Sequence, residues 1–270
     1  MRIPKRLYFN PLFRLFPKTS NENHIFVVGP PRSGTTLVAS IISNHPAICS
    51  FHSETALFSW RETFLLFEGK AGRNSYQYHR LRQQARDVVS LCDALAAECK
   101  EENGGRRVLE KTPQHVLYLA FILKYFPKAQ IINVVRDPRD GFASSRSNAS
   151  IAQKSAAGFA HYWKRCVKSR QRFGRHPQIY DIGYETLVAE PDKTIGDVIA
   201  WLGESFEKDI LGPDRMKQHH LAGSSRFRHL GGPINPSSVG RWKRDLSAAE
   251  IATIEEIVNG LHAPPADSSA

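Results

Sequence analysis

The chain has 270 residues, 41% hydrophobic and 23% charged, the balance of an ordinary globular protein, which excludes a disordered or fibrous chain. Its longest unbroken apolar run, Val116 to Leu123, is far shorter than the roughly 20 residues of a bilayer-spanning helix, so an integral helical membrane protein is excluded. The formal charge of +11 points to an anionic partner without naming it, because nucleic acid, an anionic membrane and a phosphorylated small molecule all attract such a chain. In chain order, residues 1–20 come first as a basic arm with Arg2, Lys5, Arg6, Arg14 and Lys18 and no acid. The arm shows neither a continuous apolar stretch nor a small-residue cleavage site, so no secretory signal is expected. Pro4, Pro11 and Pro17 interrupt any long helix. A docked or disordered arm is preferred, and the aromatic and leucine residues within 1–18 leave peripheral contact with an anionic membrane open.

Residues 24–29, HIFVVG, read as a β-strand ending in a glycine turn, followed by Leu37, Ile41 and Ile42 at helical spacing. A second short strand precedes FHSETALF (51–58), where Ser53 is placed to cap a helix. The stretch 55–102 reads as polar surface helices. RRVLE (106–110) and AQIINVV (129–135) are further strands, each followed by a helix, at 114–126 and from near Pro138; QIYDI (178–182) is the last. A helix beginning near Ser155 carries Lys164 to Arg175 on a face expected to be solvated. Residues 222–240 form a Gly-, Ser- and Pro-rich loop, of a length usual for lids and binding loops. The final helix, 247–260, opens with Ser247 and Glu250 at capping-box spacing. Nearly continuous apolar strands alternating with helices predict an α/β fold, a parallel sheet flanked by helices on both faces. A single domain is expected over 21–262, with a disordered tail at 263–270. Cys49, Cys92, Cys99 and Cys166 lack any C-x-x-C spacing and read as small core residues in a reducing, cytoplasmic setting.

The segment GPPRSGTT (29–36) lies between a strand and a helix. Its backbone N–H groups converge where the helix dipole is positive, and Gly34 allows close approach of a phosphate. Against the triphosphate-binding pattern G-x-x-x-x-G-K-[ST], the two glycines are correctly spaced but Thr35 stands at the lysine position. That lysine reaches the β- and γ-phosphates, so its absence counts against an ATP or GTP enzyme. Arg32 offers a planar guanidinium to the terminal group of a shorter ligand. A plain glycine turn between core elements is the alternative.

PPRSGTT (30–36), RDPRDGFASS (136–145), YETLVAEP (184–191) and GRWKRDLS (240–247) occur in the order and at the separations seen in sulfotransferases that use 3′-phosphoadenosine 5′-phosphosulfate (PAPS). The chain resembles that family from about residue 24 to about 250, most closely its bacterial and Golgi-type branch, in a P-loop-like fold. The resemblance implies that Arg32, Ser33, Gly34, Thr35 and Thr36 hold the 5′-phosphosulfate and that Arg136 and Ser144 grip the 3′-phosphate. It further implies that Tyr184 and residues 240–243 close over the nucleotide, Arg241 contacting the 3′-phosphate. Ligands of open α/β sheets bind beyond the carboxyl ends of the strands, where Arg32 and Arg136 both fall. The bland alternatives are a helix-surface role for Ser144 and pairing of Arg136 and Arg139 with Asp137 and Asp140.

Sulfuryl transfer needs a base for the acceptor proton and positive charge near the leaving oxygen. The histidine two residues after a lysine in the cytosolic relatives is replaced here by Pro113, after Lys111. Glu54 matches the glutamate base of the Golgi-type relatives, and Lys111 is expected to stabilise the leaving oxygen together with Arg32. Pairing of Lys111 with Glu110 on the surface is the alternative, and His52 and His115 are fallback bases. His219, His220 and His229 lack companions at ligand spacing, so no metal site is expected. The reading is a PAPS-dependent sulfotransferase acting on a small-molecule or glycan hydroxyl, with no nucleic-acid partner. Its rivals are a P-loop small-molecule kinase and a non-catalytic polyanion-binding protein.

Overall fold

The computed structural model describes residues 17–51, 54–58, 80–81, 83–146, 155–212, 234 and 236–261. Most of the basic arm, the tail, His52, Ser53, most of 59–82 and most of the 222–240 loop lie outside them. Five strands, β1 (Ile25–Val28), β2 (Ile48–Ser50), β3 (Arg107–Lys111), β4 (Gln130–Val135) and β5 (Ile179–Gly183), form one sheet in the order β2-β3-β1-β4-β5. Every pairing is parallel, with Ile25 opposite Leu109 on one side and opposite Gln130 on the other. The expected parallel α/β sheet is therefore present.

Side chains of β1 alternate between two cores, because successive residues of a strand face opposite sides. Phe26 and Val28, with Ile131, pack against Leu91 and Leu95 of α2 (Val88–Asn103) and Leu119 and Ile122 of the helical stretch that includes α3 (Leu119–Tyr125). Ile25 and Val27, with Ile132 and Val134, pack against Val38 and Ile41 of α1 (Thr35–Ile42) and Ile195 and Val198 of α7 (Pro191–Trp201). Phe26 is wholly buried, and truncation to alanine of such a side chain costs about 3–5 kcal/mol. A third cluster joins α4 (Pro138–Ser145), α5 (Ala156–Gln171) and α9 (Ala248–Val258) through Phe142, Phe159, Trp163 and Ile254. Two helix starts fall where the sequence places them: one helix opens after Ser155, which accepts from Gly158 N, and Ser247 with Glu250 forms the expected capping box.

Three expectations change. α2 is a surface helix on one side only: residues 101–103 are exposed, while Leu91, Cys92, Leu95, Ala96 and Cys99 face the core. Residues 54–58 do not start a helix; they are irregular, with Ala56 at φ 50°. The basic face of α5 is not uniformly solvated. Arg170 turns inward and grips Asp181 of β5 with two bonds of 3.1 and 2.6 Å, while Asn133 donates to the same carboxylate at 2.7 Å. A buried, bidentate pair of this kind fixes α5 against the sheet edge.

Candidate functional site

In this strand order the loops after β1 and β4, neighbours in the sheet, lead to opposite sides, which makes the gap between their carboxyl ends the topological switch point where open α/β sheets bind ligands. Both loops are shaped by close approach. A Cβ on Gly29 would stand 2.2 Å from Val134 O of β4, so only glycine lets β1 turn there. Gly34, at φ 96°, caps α1 without any side-chain hydrogen bond, leaving the N–H groups of the first helical turn pointed at the gap. A Cβ on Gly34 would lie 2.5 Å from the Tyr184 ring. Between the two glycines Arg32 adopts φ 63°, a left-handed conformation that costs a non-glycine residue about 1–2 kcal/mol. Strain of that size persists where the surroundings over-determine it. Ser33 is buried and donates to Pro30 O at 2.8 Å, so its hydroxyl shapes the loop.

Arg32 Nε donates to Ser144 Oγ at 3.1 Å, joining the β1 loop to the last turn of α4. Arg136 leaves the end of β4 and stacks its guanidinium 4.3 Å over the Tyr184 ring, at the start of α6 (Tyr184–Ala189). One of its terminal nitrogens donates to Ser238 O. Its Nε is buried with no hydrogen-bond partner among the described residues. Burial, and then the positive charges of Arg136 and Arg241, hold the Arg32 guanidinium below the usual arginine range. Three guanidinium groups thus crowd one space, a charge excess that a multivalent anion relieves. The uncapped α1 terminus and the orphaned Arg136 Nε fit a ligand carrying two separated anionic groups.

The sequence motifs interlock here. Asp140 accepts from Gly240 N at 2.8 Å and from Trp242 N at 3.0 Å, fastening α8 (Trp242–Asp245) to α4. Asp137 N donates to Glu185 at 3.0 Å, tying the β4 loop to α6. Arg139 pairs with Asp137 and Glu255 and lies 4.0 Å over the Trp242 ring, so for Arg139 the ion-pair alternative is the one observed. Among the described residues Arg136 makes no such pair. Arg241 binds Asp245 at 2.8 Å while remaining close enough to act on Arg32. Tyr184 is buried between Gly34 and Arg136, beneath the loop. Ser144 is buried, not a surface residue.

Glu54 and Lys111 meet on the β3 side of the gap as an ion pair of 2.6 Å. The alternative partner of Lys111 is displaced: Glu110 is buried, accepts from Thr55 Oγ1 at 2.7 Å, and binds His115 at 3.0 Å. His115 is wholly buried with both ring nitrogens occupied, the second by Phe58 N at 3.3 Å, which removes it as a fallback base. Sequence reasoning missed Glu110, Asp140 and Glu185 as organisers. The signal for Glu110 was a carboxylate following the apolar pair Val108-Leu109 in a strand of the sheet, and for Asp140 an acid in the first turn of α4.

A family model described as the sulfotransferase family matches residues 24–208, well over half of the chain and ending before Arg241. Curated relatives include an uncharacterized protein of Aquifex aeolicus, 24% identical over 83% of this chain and 31% of its own length. Nodulation protein NoeE of Sinorhizobium fredii is 26% identical over 86% of this chain and 63% of its own. Protein-tyrosine sulfotransferase 2 of Gallus gallus is 24% identical over 81% and 62% respectively. The chain therefore spans less than two thirds of the length of these relatives. Among solved structures, the sulfotransferase domain of the Synechococcus olefin synthase superposes with a TM-score of 0.60 at 20% identity, over 91% of this chain and 98% of that one. A mouse sulfotransferase in complex with PAP (3′-phosphoadenosine 5′-phosphate) gives a TM-score of 0.56 at 18% identity, over 89% and 84%. These structural likenesses show the fold, and the match across 24–208 shows the lineage: the chain belongs to the sulfotransferase family.

Proposed function

We propose that the chain transfers a sulfuryl group from PAPS to an acceptor hydroxyl on a carbohydrate, glycolipid or small metabolite. The observation that carries this reading is the convergence of Arg32 and Arg136 from adjacent strand ends, with a buried Arg136 Nε that has no partner among the described residues. The α1 terminus (Gly34, Thr35, Thr36), the Ser33 backbone and Arg32 would hold the 5′ end. Arg136, Ser144 and Arg241 would hold the 3′-phosphate, with Tyr184 bracing Arg136 from below. The likeness to a fold crystallised with PAP supports the same donor.

When bound, PAPS supplies an activated sulfuryl group whose S–O bond to phosphate breaks as the acceptor oxygen bonds to sulfur. Glu54 takes the acceptor proton on a carboxylate oxygen. Lys111, now in contact with Glu54, and Arg32 face the negative charge that appears on the phosphate oxygen. Fixed positive groups act strongly here because they need no reorganisation during the step, and loss of one such donor typically costs about a hundredfold or more in rate. A tyrosyl hydroxyl on a protein is a second reading of the acceptor, favoured by the likeness to protein-tyrosine sulfotransferases. A cytoplasmic location belongs to the same proposal; among the described residues no helix is long and apolar enough to cross a membrane.

A thermal-shift comparison of PAP, ADP and ATP with magnesium tests the donor. Stabilisation by PAP above the other two is expected; stabilisation by ATP with magnesium and not by PAP returns the kinase reading. Transfer of labelled sulfate from PAPS across a panel of sugars, phenols and tyrosyl peptides then identifies the acceptor.

A further inference from the structure

We propose that Glu110 is a positioning residue for sulfuryl transfer: its buried carboxylate holds in place the irregular loop that carries Glu54. The inference rests on the reading of Glu54 as the base. Residues 54–58 have no regular structure, and Ala56 sits at φ 50°, a conformation that must be held by its surroundings. Among the described residues no strand ladder does so. Instead three backbone N–H groups of the loop donate to side chains of one short stretch that runs from the end of β3 into the residues after it. Thr55 N reaches Glu110 Oε1 at 3.3 Å, Ala56 N reaches Thr112 Oγ1 at 3.1 Å, and Phe58 N reaches His115 Nε2 at 3.3 Å.

Glu110 is the hub of that stretch. Its Oε1 accepts from the hydroxyls of Thr55, at 2.7 Å, and Thr112; its Oε2 faces His115 Nδ1 at 3.0 Å. Because His115 Nε2 accepts from Phe58 N, the imidazole proton resides on Nδ1 and donates to the carboxylate. The network is closed, since each donor meets an acceptor. Glu110, Thr112 and His115 are all at most 1% exposed, so water cannot substitute for a lost partner. One carboxylate therefore takes both hydrogen-bond donors of Thr55, the residue after Glu54. The same carboxylate stands directly before Lys111, the ion-pair partner of Glu54. Misplacing a reacting group by about 1 Å costs roughly a hundredfold in rate.

Glu110→Gln preserves shape but breaks the logic. With the amide nitrogen toward His115, Nδ1–H meets a second donor; a tautomer shift only moves the conflict to Phe58 N. With the amide nitrogen toward Thr55, the Thr55 N–H meets it instead.

The experiment compares Glu110→Gln, Thr55→Val, Thr55→Ser and Glu54→Gln with the unaltered chain. Calorimetry with PAP counts folded sites, PAP release from PAPS gives turnover with an acceptor from the panel or with water, and hydrogen exchange follows the amides of Thr55, Ala56 and Phe58. Glu110→Gln and Thr55→Val are expected to lower kcat per PAP-binding site by about 10- to 100-fold, with KM for PAPS and PAP affinity within about twofold. Thr55→Ser, which keeps the hydroxyl, restores turnover, and the three amides lose protection only in the first two variants. A role confined to stability would reduce the number of folded sites and leave kcat per site unchanged. That outcome in Glu110→Gln, or in Thr55→Val if the former does not fold, with Glu54→Gln inactive, overturns the positioning role alone. Full turnover in Glu54→Gln overturns the base assignment and the inference together.

Discussion

Arg136→Ala separates the anion-binding role of this residue from its structural one. In the free protein the substitution removes the stacking on Tyr184, a contact of about 0.5–2 kcal/mol, together with the bond to Ser238 O. It also removes one of the positive charges that hold Arg32 below its usual range. These contributions have opposite signs, so the melting temperature of the free protein should move by no more than about 4 °C. Binding has no such compensation. The lost hydrogen bonds to a charged group are worth about 1.5–3 kcal/mol, and every 1.4 kcal/mol is about a factor of ten, giving a Kd for PAP raised by about 10- to 150-fold. Relief of repulsion among the guanidinium groups is part of the binding energy in the unaltered chain, and it shrinks with Arg136 gone, which pushes the result toward the upper end. Arg136→Lys should fall between, keeping charge but losing the planar fork. Calorimetric titration with PAP at low salt measures the change. An affinity within about twofold of the unaltered chain would show that Arg136 does not grip the ligand.

Glu54→Gln should retain PAP affinity and lose turnover by about 10²- to 10⁴-fold, the usual contribution of a positioned base; transfer of labelled sulfate under saturating donor measures it. Gly34→Ala places a Cβ 2.5 Å from Tyr184 Cδ2 at a backbone φ of 96°, so a lower melting temperature is expected together with loss of the PAP-induced shift, read by differential scanning fluorimetry. The stability of the chain should fall in acid through Glu110. Burial alone would raise its pKa, but the interaction with His115 and the hydrogen bonds from the hydroxyls of Thr112 and Thr55 outweigh burial and hold it below the usual carboxylate value. A carboxylate depressed on folding stabilises above its unfolded value, and that stability drains as pH falls toward the folded one, at about 1.4 kcal/mol per pH unit. Urea titrations between pH 6 and 3 should show this slope and a flatter one in Glu110→Gln.

The strands were legible because β-branched runs bounded by glycine and proline, such as HIFVVG and AQIINVV, carry their own signal, and the capping box at Ser247 because capping is local. Strand order was not, since it depends on which crossover packs on which face. The anion loop was legible for the same local reason. What the sequence hid is long-range: Asp140 binding residues a hundred positions later, Arg170 turning inward to Asp181, and the 54–58 loop held by Glu110 instead of by helix bonds. A helix start at Ser53 was reasonable from SETALF alone. It lost to a tertiary network that takes up the N–H groups of Thr55, Ala56 and Phe58, which a helix beginning there would have left uncapped or paired differently.

The central claim is that Arg32 and Arg136 clasp the two ends of one adenosine ligand at the carboxyl ends of β1 and β4. A crystal structure of the chain with PAP tests it most directly. The account predicts the 5′-phosphate on the first turn of α1 beside Arg32 and the 3′-phosphate within hydrogen-bond distance of Arg136 and Ser144. PAP seated elsewhere, or held by only one of the two arginines, would contradict it.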